Sequence, residues 1–172
     1  MQGKNTKFSA VIAYFEQLAT DHVQIQHSPT SKHFARLELD EVVTGIQSRI
    51  KFPLLVLEGY SFSLRDPKSD NVMKQRSGAF MLLTHVKDKG DYNLIHETWD
   101  FLEEIGDDII ARMKQDKRNP ASPIRNFNFD SVEGSLISFD ANMLYGIRYT
   151  YDIETSFPAM VDPDKWLSPD NS

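Results

Sequence analysis

Residues 143–154 read MLYGIRYTYDIE, and apolar and polar positions alternate through the whole stretch. Met143, Tyr145, Ile147, Tyr149, Tyr151 and Ile153 share one side, while Gly146, Arg148, Thr150, Asp152 and Glu154 share the other. A period of two puts successive side chains on opposite faces, so this is a long half-buried strand with an apolar aromatic face and a wettable face. FPLLVLEGYSFSL at 52–64 predicts a second strand. Phe52, Leu54, Val56, Tyr60, Phe62 and Leu64 lie on one face, Glu58 interrupts it, and Pro53 suits a strand entrance or a sheet edge. On that face Glu58 calls for a basic partner across the sheet or for a place at the rim. GAFMLLTHVK at 78–87 is a mostly apolar strand, so 52–87 is expected to be a hairpin around a polar loop at 65–77. Shorter strands are predicted at Val23–Gln26, 124–129 and 132–139, the last paired with 143–154.

Spacings of three and four mark the helices. Phe8, Val11, Ile12, Phe15, Leu18 and Ala19 give a helix over 7–19, and Leu39, Val42, Val43, Ile46 and Ile50 give a second over 34–50. The strongest runs over 91–115, with Ile95, Trp99, Leu102, Ile105, Ile109 and Met113 as its apolar stripe. Its acids precede its bases, as the helix dipole prefers, and Asn119-Pro120 stops it. The stripe is expected to pack on the aromatic face of 143–154. Helices beside hairpin-connected strands predict an α+β fold, an antiparallel sheet with helices on one face. One domain at 1–155 precedes a proline-rich tail, 156–172, in which Trp166 and Leu167 either pack back or await a partner.

At 172 residues the chain is long enough to bury a core without staples, and it has no cysteine for a disulfide or a thiolate site. Lys4 and Lys7 precede a helical pattern and not a continuous apolar run, so neither a signal peptide nor a membrane span is expected. A net charge of −6 argues against nucleic-acid binding as the main task. No sequence-specific nucleic-acid contact is expected.

Candidate chemistry is sparse. His22, His27 and His33 flank a loop without the spacing of a helical zinc motif, and solvated or hydrogen-bonded roles fit them better. HETWDFLEE begins like a metalloprotease helix, but Asp100 stands where H-E-x-x-H needs its second histidine. The acids of EEIGDDII project from the side of the helix opposite its stripe, where water keeps them ionised. There is no phosphate loop, nucleophile elbow or dinucleotide fingerprint. The expectation is a protein that is not an enzyme and uses no cofactor. A site built on His85, His96 or Glu58 is the remaining enzymatic option. Unlike charge does occur in separate places: Arg65, Lys68, Lys74 and Arg76 in the hairpin loop, and Glu103, Glu104, Asp107 and Asp108 on the long helix.

The succession of an N-terminal amphipathic helix, FPLLVLEGYSFSL, GAFMLLTHV, a Trp-containing acidic helix, NFNFDSVEGSLISF and MLYGIRYTYDIE resembles the tail-terminator (tail-completion) proteins of tailed bacteriophages. The likeness spans most of 8–155 and rests on element order and texture. It implies a structural α+β subunit of the virion, assembled in the host cytoplasm into a hexameric ring that caps the tail tube and docks it to neck or connector proteins. The helix at 34–50 and the tail 156–172 depart from that pattern, which leaves room for another neck ring protein or a relative in a contractile injection machine. On this reading the two charge sets register neighbouring copies, with Trp166 and Leu167 as further contacts. The alternative is a cytoplasmic monomeric or dimeric α+β adaptor or ligand-binding protein, with its pocket between the long helix and the sheet.

Overall fold

A computed structural model describes residues 7–36, 50–68 and 71–167. Helix α1 (Phe8–Asp21) is followed by β1 (Lys32–Arg36), β2 (Ile50–Leu57), β3 (Ser61–Arg65), β4 (Met73–His85), α2 (Tyr92–Asp116), β5 (Phe127–Phe139) and β6 (Leu144–Ser156). Short 3-10 turns lie at Asp140–Asn142 and Pro163–Lys165. The strands form one sheet in the order β1-β2-β4-β6-β5, with β3 beside β4. The class is α+β, but the sheet is mixed and not purely antiparallel, because β1 runs parallel to β2.

The long two-faced strand is β6, and it lies inside the sheet, between β4 and β5. It pairs with β4 from Met73↔Ser156 to His85↔Leu144, so the hairpin and the closing strand share one long ladder. Its aromatic face carries the main core. Leu102, Ile105, Ile109 and Met113 of α2 join Val11, Phe15, Leu18 and Ala19 of α1 against Phe80, Leu82, Ile147, Tyr149 and Tyr151. Trp99 meets Tyr145 edge-on at 6.0 Å. Both described helices therefore cover the same face, as the period-two and helical stripes require together.

Helix α2 begins where Asp91 accepts a hydrogen bond from the Leu94 amide at 3.0 Å, which satisfies one of the unpaired donors of the first turn. Over 25 residues it extends about 37 Å, long enough to lie across the sheet. Gly106 sets how closely it approaches: its missing Cβ is where the Tyr149 hydroxyl and ring edge sit. On the far side of the same ring lies Gly134, and the Phe80 ring stacks on Tyr149 at 5.0 Å.

The opposite face is divided. One half is a second apolar cluster built on Leu54, Val56, Met81, Leu83 and Leu144, with Phe52, Ile137 and Phe139 packed against it. This explains why Leu54–Leu57 are buried consecutively: both sides of the sheet are apolar there. The other half is polar.

Several expectations are corrected. Val23–Gln26 is a turn, with Gln26 at a φ of 54°, and no strand; the amides of Ile25 and Gln26 both bond the His22 carbonyl. The start of the expected second helix, Phe34 to Arg36, is strand β1, and Ile50 opens β2; residues 37–49 lie outside the described residues. Residues 52–64 are two strands, broken at Glu58–Tyr60, that face successive stretches of the same edge of β4. The basic loop is much shorter than 65–77: Arg65 ends β3, while Lys74 and Arg76 belong to β4, paired on both sides. Their polarity concealed a strand that is half exposed. Residues 124–129 and 132–139 are not separate strands either, since β5 runs through, with irregular pairing between Asn128 and Glu133.

Burial of the core phenols makes stability pH-dependent at the alkaline end. Burial, then the nearby Asp107 and Glu103, push the Tyr149 hydroxyl from 10.0 up to about 12. Burial likewise raises Tyr14 and Tyr151. A phenol held neutral in the fold and free to ionise in the unfolded chain favours unfolding as pH rises. Its stabilisation is complete below pH 10 and is lost as pH climbs through 12. Melting temperature should therefore be flat from neutral pH to about 9.5 and then fall, less steeply in Tyr149→Phe. Identical alkaline slopes for parent and variant would show that Tyr149 ionises freely in the fold.

Candidate functional site

The polar half of the open sheet face is organised by Glu58 and Arg148. They sit on either side of β4, and Arg148 reaches over it to make two bonds, Nε to Glu58 Oε1 at 2.7 Å and Nη2 to Oε2 at 2.9 Å. Glu58 thus meets its need for a basic partner across the sheet, as its place in the strand pattern requires. The hydrogen bonds to Glu58 raise Arg148 above its ordinary range, against the effect of burial. Alongside, Asp152 accepts from Ser77 at 2.6 Å and from Gln75 at 2.8 Å. Arg148, Ser77 and Asp152, with Thr150, Ser131 and Glu133, line an open groove of about 530 Å³. Glu58 is bidentate on Arg148, and Asp152 is hydrogen-bonded to neutral side chains. No phosphate cradle or nucleophile–base pair is assembled there among the described residues.

The histidines do not converge. His22 lies 3.4 Å from Asp108, His27 lies 3.5 Å from Glu16, and His33 bonds the Pro53 carbonyl at 2.8 Å through Nδ1. His85 packs by Phe52, and His96 stacks on Trp99. Among the described residues no group of three or more His, Asp or Glu could hold a metal ion. Buried Leu102, Ile105 and Ile109 fill the interface between α2 and the sheet, where the alternative reading places its pocket.

What remains open is apolar. The chain leaves β6 at Ser156, where the Phe157 amide bonds the Val72 carbonyl at 2.7 Å, and continues as an arm to residue 167. Phe157, Met160, Val161, Trp166 and Leu167 are all exposed, Met160 at 88% and Leu167 at 100%. The tail therefore does not pack back by Trp166 and Leu167. Asp162 caps the short turn at Pro163–Lys165 and pairs with Lys165 at 2.8 Å, so the arm has local order without a core contact. The second open feature is β3, exposed at every residue and paired only with β4 among the described strands. Phe62 and Leu64 are 59% and 51% exposed there.

The charge sets are only partly as expected. Glu103, Glu104, Asp107 and Asp108 are exposed along α2. Arg65 and Lys68 are exposed at the tip of the hairpin, but Lys74 lies 3.7 Å over the Phe62 ring and Arg76 donates to Thr155 at 2.8 Å. Sequence patterning puts Phe62 and Leu64 on one strand face with Leu54 and Val56 but does not mark Met160 and Val161. The signal available for the last two was an apolar pair between Pro158 and Pro163, in a segment too proline-rich to build a core.

No protein-family model and no curated protein matches the chain. No described helix is long and apolar enough to cross a membrane.

Proposed function

We propose that the protein is a non-enzymatic assembly subunit, a ring-forming component of a phage-like tail end or neck that works through surface complementarity. The observation that carries this reading is the arm at 157–167, whose apolar side chains are all left in water by the domain from which it extends. Exposed apolar side chains gathered in one segment mark contacts completed by another chain. Unlike charge on separate surfaces supports a heterologous contact: acids line α2, while Arg65 and Lys68 cap the hairpin. A closed ring needs such a contact, in which one face of each copy meets a different face of the next. In this reading the polar groove of β6 faces a wet lumen or the outer surface, and the partners are copies of the chain, a tail tube and a neck or connector protein.

Native mass spectrometry of the full chain, across concentration and with tail-tube and neck proteins added, should show one closed species, hexameric on the tail-terminator resemblance. Exposed ion pairs contribute only about 0–1 kcal/mol each. Arg65→Glu combined with Lys68→Glu should therefore slow assembly without changing the melting of the monomer. A chain that stays monomeric under all of these conditions would refute the ring.

A further inference from the structure

The arm and the β3 edge are complementary, and both belong to the same chain. We infer that the arm of one copy adds as a short strand to the outer edge of β3 in a second copy, an inference that rests on the assembly reading above. Edge strands offer unpaired backbone groups to any extended segment that reaches them, and proteins normally blunt or cover such edges. Here β3 is exposed along its five residues. Between Pro158 and Pro163 the arm provides Ala159, Met160, Val161 and Asp162, a run with every backbone amide available for pairing and of nearly the same length. The prolines on either side stop the pairing from extending further, because they have no N–H to donate.

Side chains agree with the backbone. Met160 and Val161 are exposed in the arm, and Phe62 and Leu64 are exposed on β3, so adding the strand removes apolar surface on both partners. Charge agrees as well: the arm carries Asp162 and Asp164 against one Lys165, while β3 ends at Arg65 with Lys74 beside Phe62. The occupant is a second copy because each molecule presents one donor and one acceptor, and its own arm lies off its own edge with Met160 and Leu167 in solvent. A donor on one side and an acceptor on the other propagate head to tail, which is the contact a ring requires.

The chain has no cysteine, so introduced cysteines report without background. Full chains carrying only Ser63→Cys are mixed under mild oxidation with full chains carrying only Met160→Cys or only Val161→Cys. A disulfide forms only where Cα atoms come within about 7 Å. At least one of the two mixtures should cross-link several-fold more than a control in which Glu104→Cys, exposed on α2, replaces Ser63→Cys. Yields equal to the control in both mixtures would overturn the inference. So would a doubly substituted chain, Ser63→Cys with Met160→Cys or Val161→Cys, that closes on itself at high dilution, which would place the arm on its own edge. Native mass spectrometry of the unsubstituted chain separates the two ideas. A closed ring without preferential cross-linking sinks the arm contact alone; preferential cross-linking in dimers that never close sinks the ring alone.

Discussion

Replacing Gly106 by alanine should destabilise the protein by about 2–3 kcal/mol, although alanine is the better helix former by about 1 kcal/mol. In an open helix position the substitution would help. At Gly106 the new Cβ falls on the Tyr149 hydroxyl and on the edge of its ring. The ring has nowhere to go. It is 5% exposed, the Phe80 ring stacks on it at 5.0 Å, and the strand at Gly134 passes so close that a Cβ there would stand 3.1 Å from the ring. Relief must come from shifting α2 away from the sheet, which loosens the Leu102, Ile105 and Ile109 contacts together. Urea unfolding should show a lower midpoint with an unchanged slope. Because the hydroxyl is the nearest atom, Tyr149→Phe in the Gly106→Ala background should recover part of the loss. A Gly106→Ala protein as stable as the parent would mean that α2 does not sit this close to β6.

Gly106 also shows where the sequence stops being legible. The alternation of 143–154 and the stripe of 91–115 each identify an element and its buried face, and the structure joins those faces. That is why the core and the α+β class could be read. A glycine inside a helix has no explanation within its own segment, since the reason for it is an aromatic ring more than forty residues later. The same holds for Lys74 and Arg76. They look like loop residues because their side chains are charged, yet they lie near the start of a strand that is paired on both sides. Hydrophobic periodicity reports burial, and a half-exposed strand end has little of it. Strand β1 was missed for a different reason: its five residues KHFAR are half buried, without alternation, and it gains its pairing from β2. The open arm and edge were hardest to see, because exposure is a property of the assembled fold. Pro158 and Pro163 reveal that the tail cannot build a core, but only the structure shows that Met160 and Val161 find no cover on the domain.

Breaking the Glu58–Arg148 pair should have an asymmetric effect, larger when the arginine is removed. The Glu58 side chain is 9% exposed and that of Arg148 is 31% exposed. Arg148→Ala leaves a carboxylate that water barely reaches, with both oxygens stripped of their donors. Removing one partner of a buried pair typically costs about 3–5 kcal/mol, and access through the groove places this case at about 3 kcal/mol. Glu58→Ala leaves a guanidinium that can turn into the groove and hydrate, so about 1 kcal/mol is expected. Replacing both, Glu58→Leu with Arg148→Met, removes the charge problem and continues the neighbouring apolar cluster around Val56 and Met81. That double variant should be closer in stability to the parent than Arg148→Ala is. A thermodynamic cycle of the two alanine variants and their combination would measure the coupling, expected to exceed about 1 kcal/mol for residues in direct contact. Equal losses in the two single variants would show that both charges reach water equally. A loss below about half a kcal/mol for Arg148→Ala would show that the pair does not organise this face of the sheet.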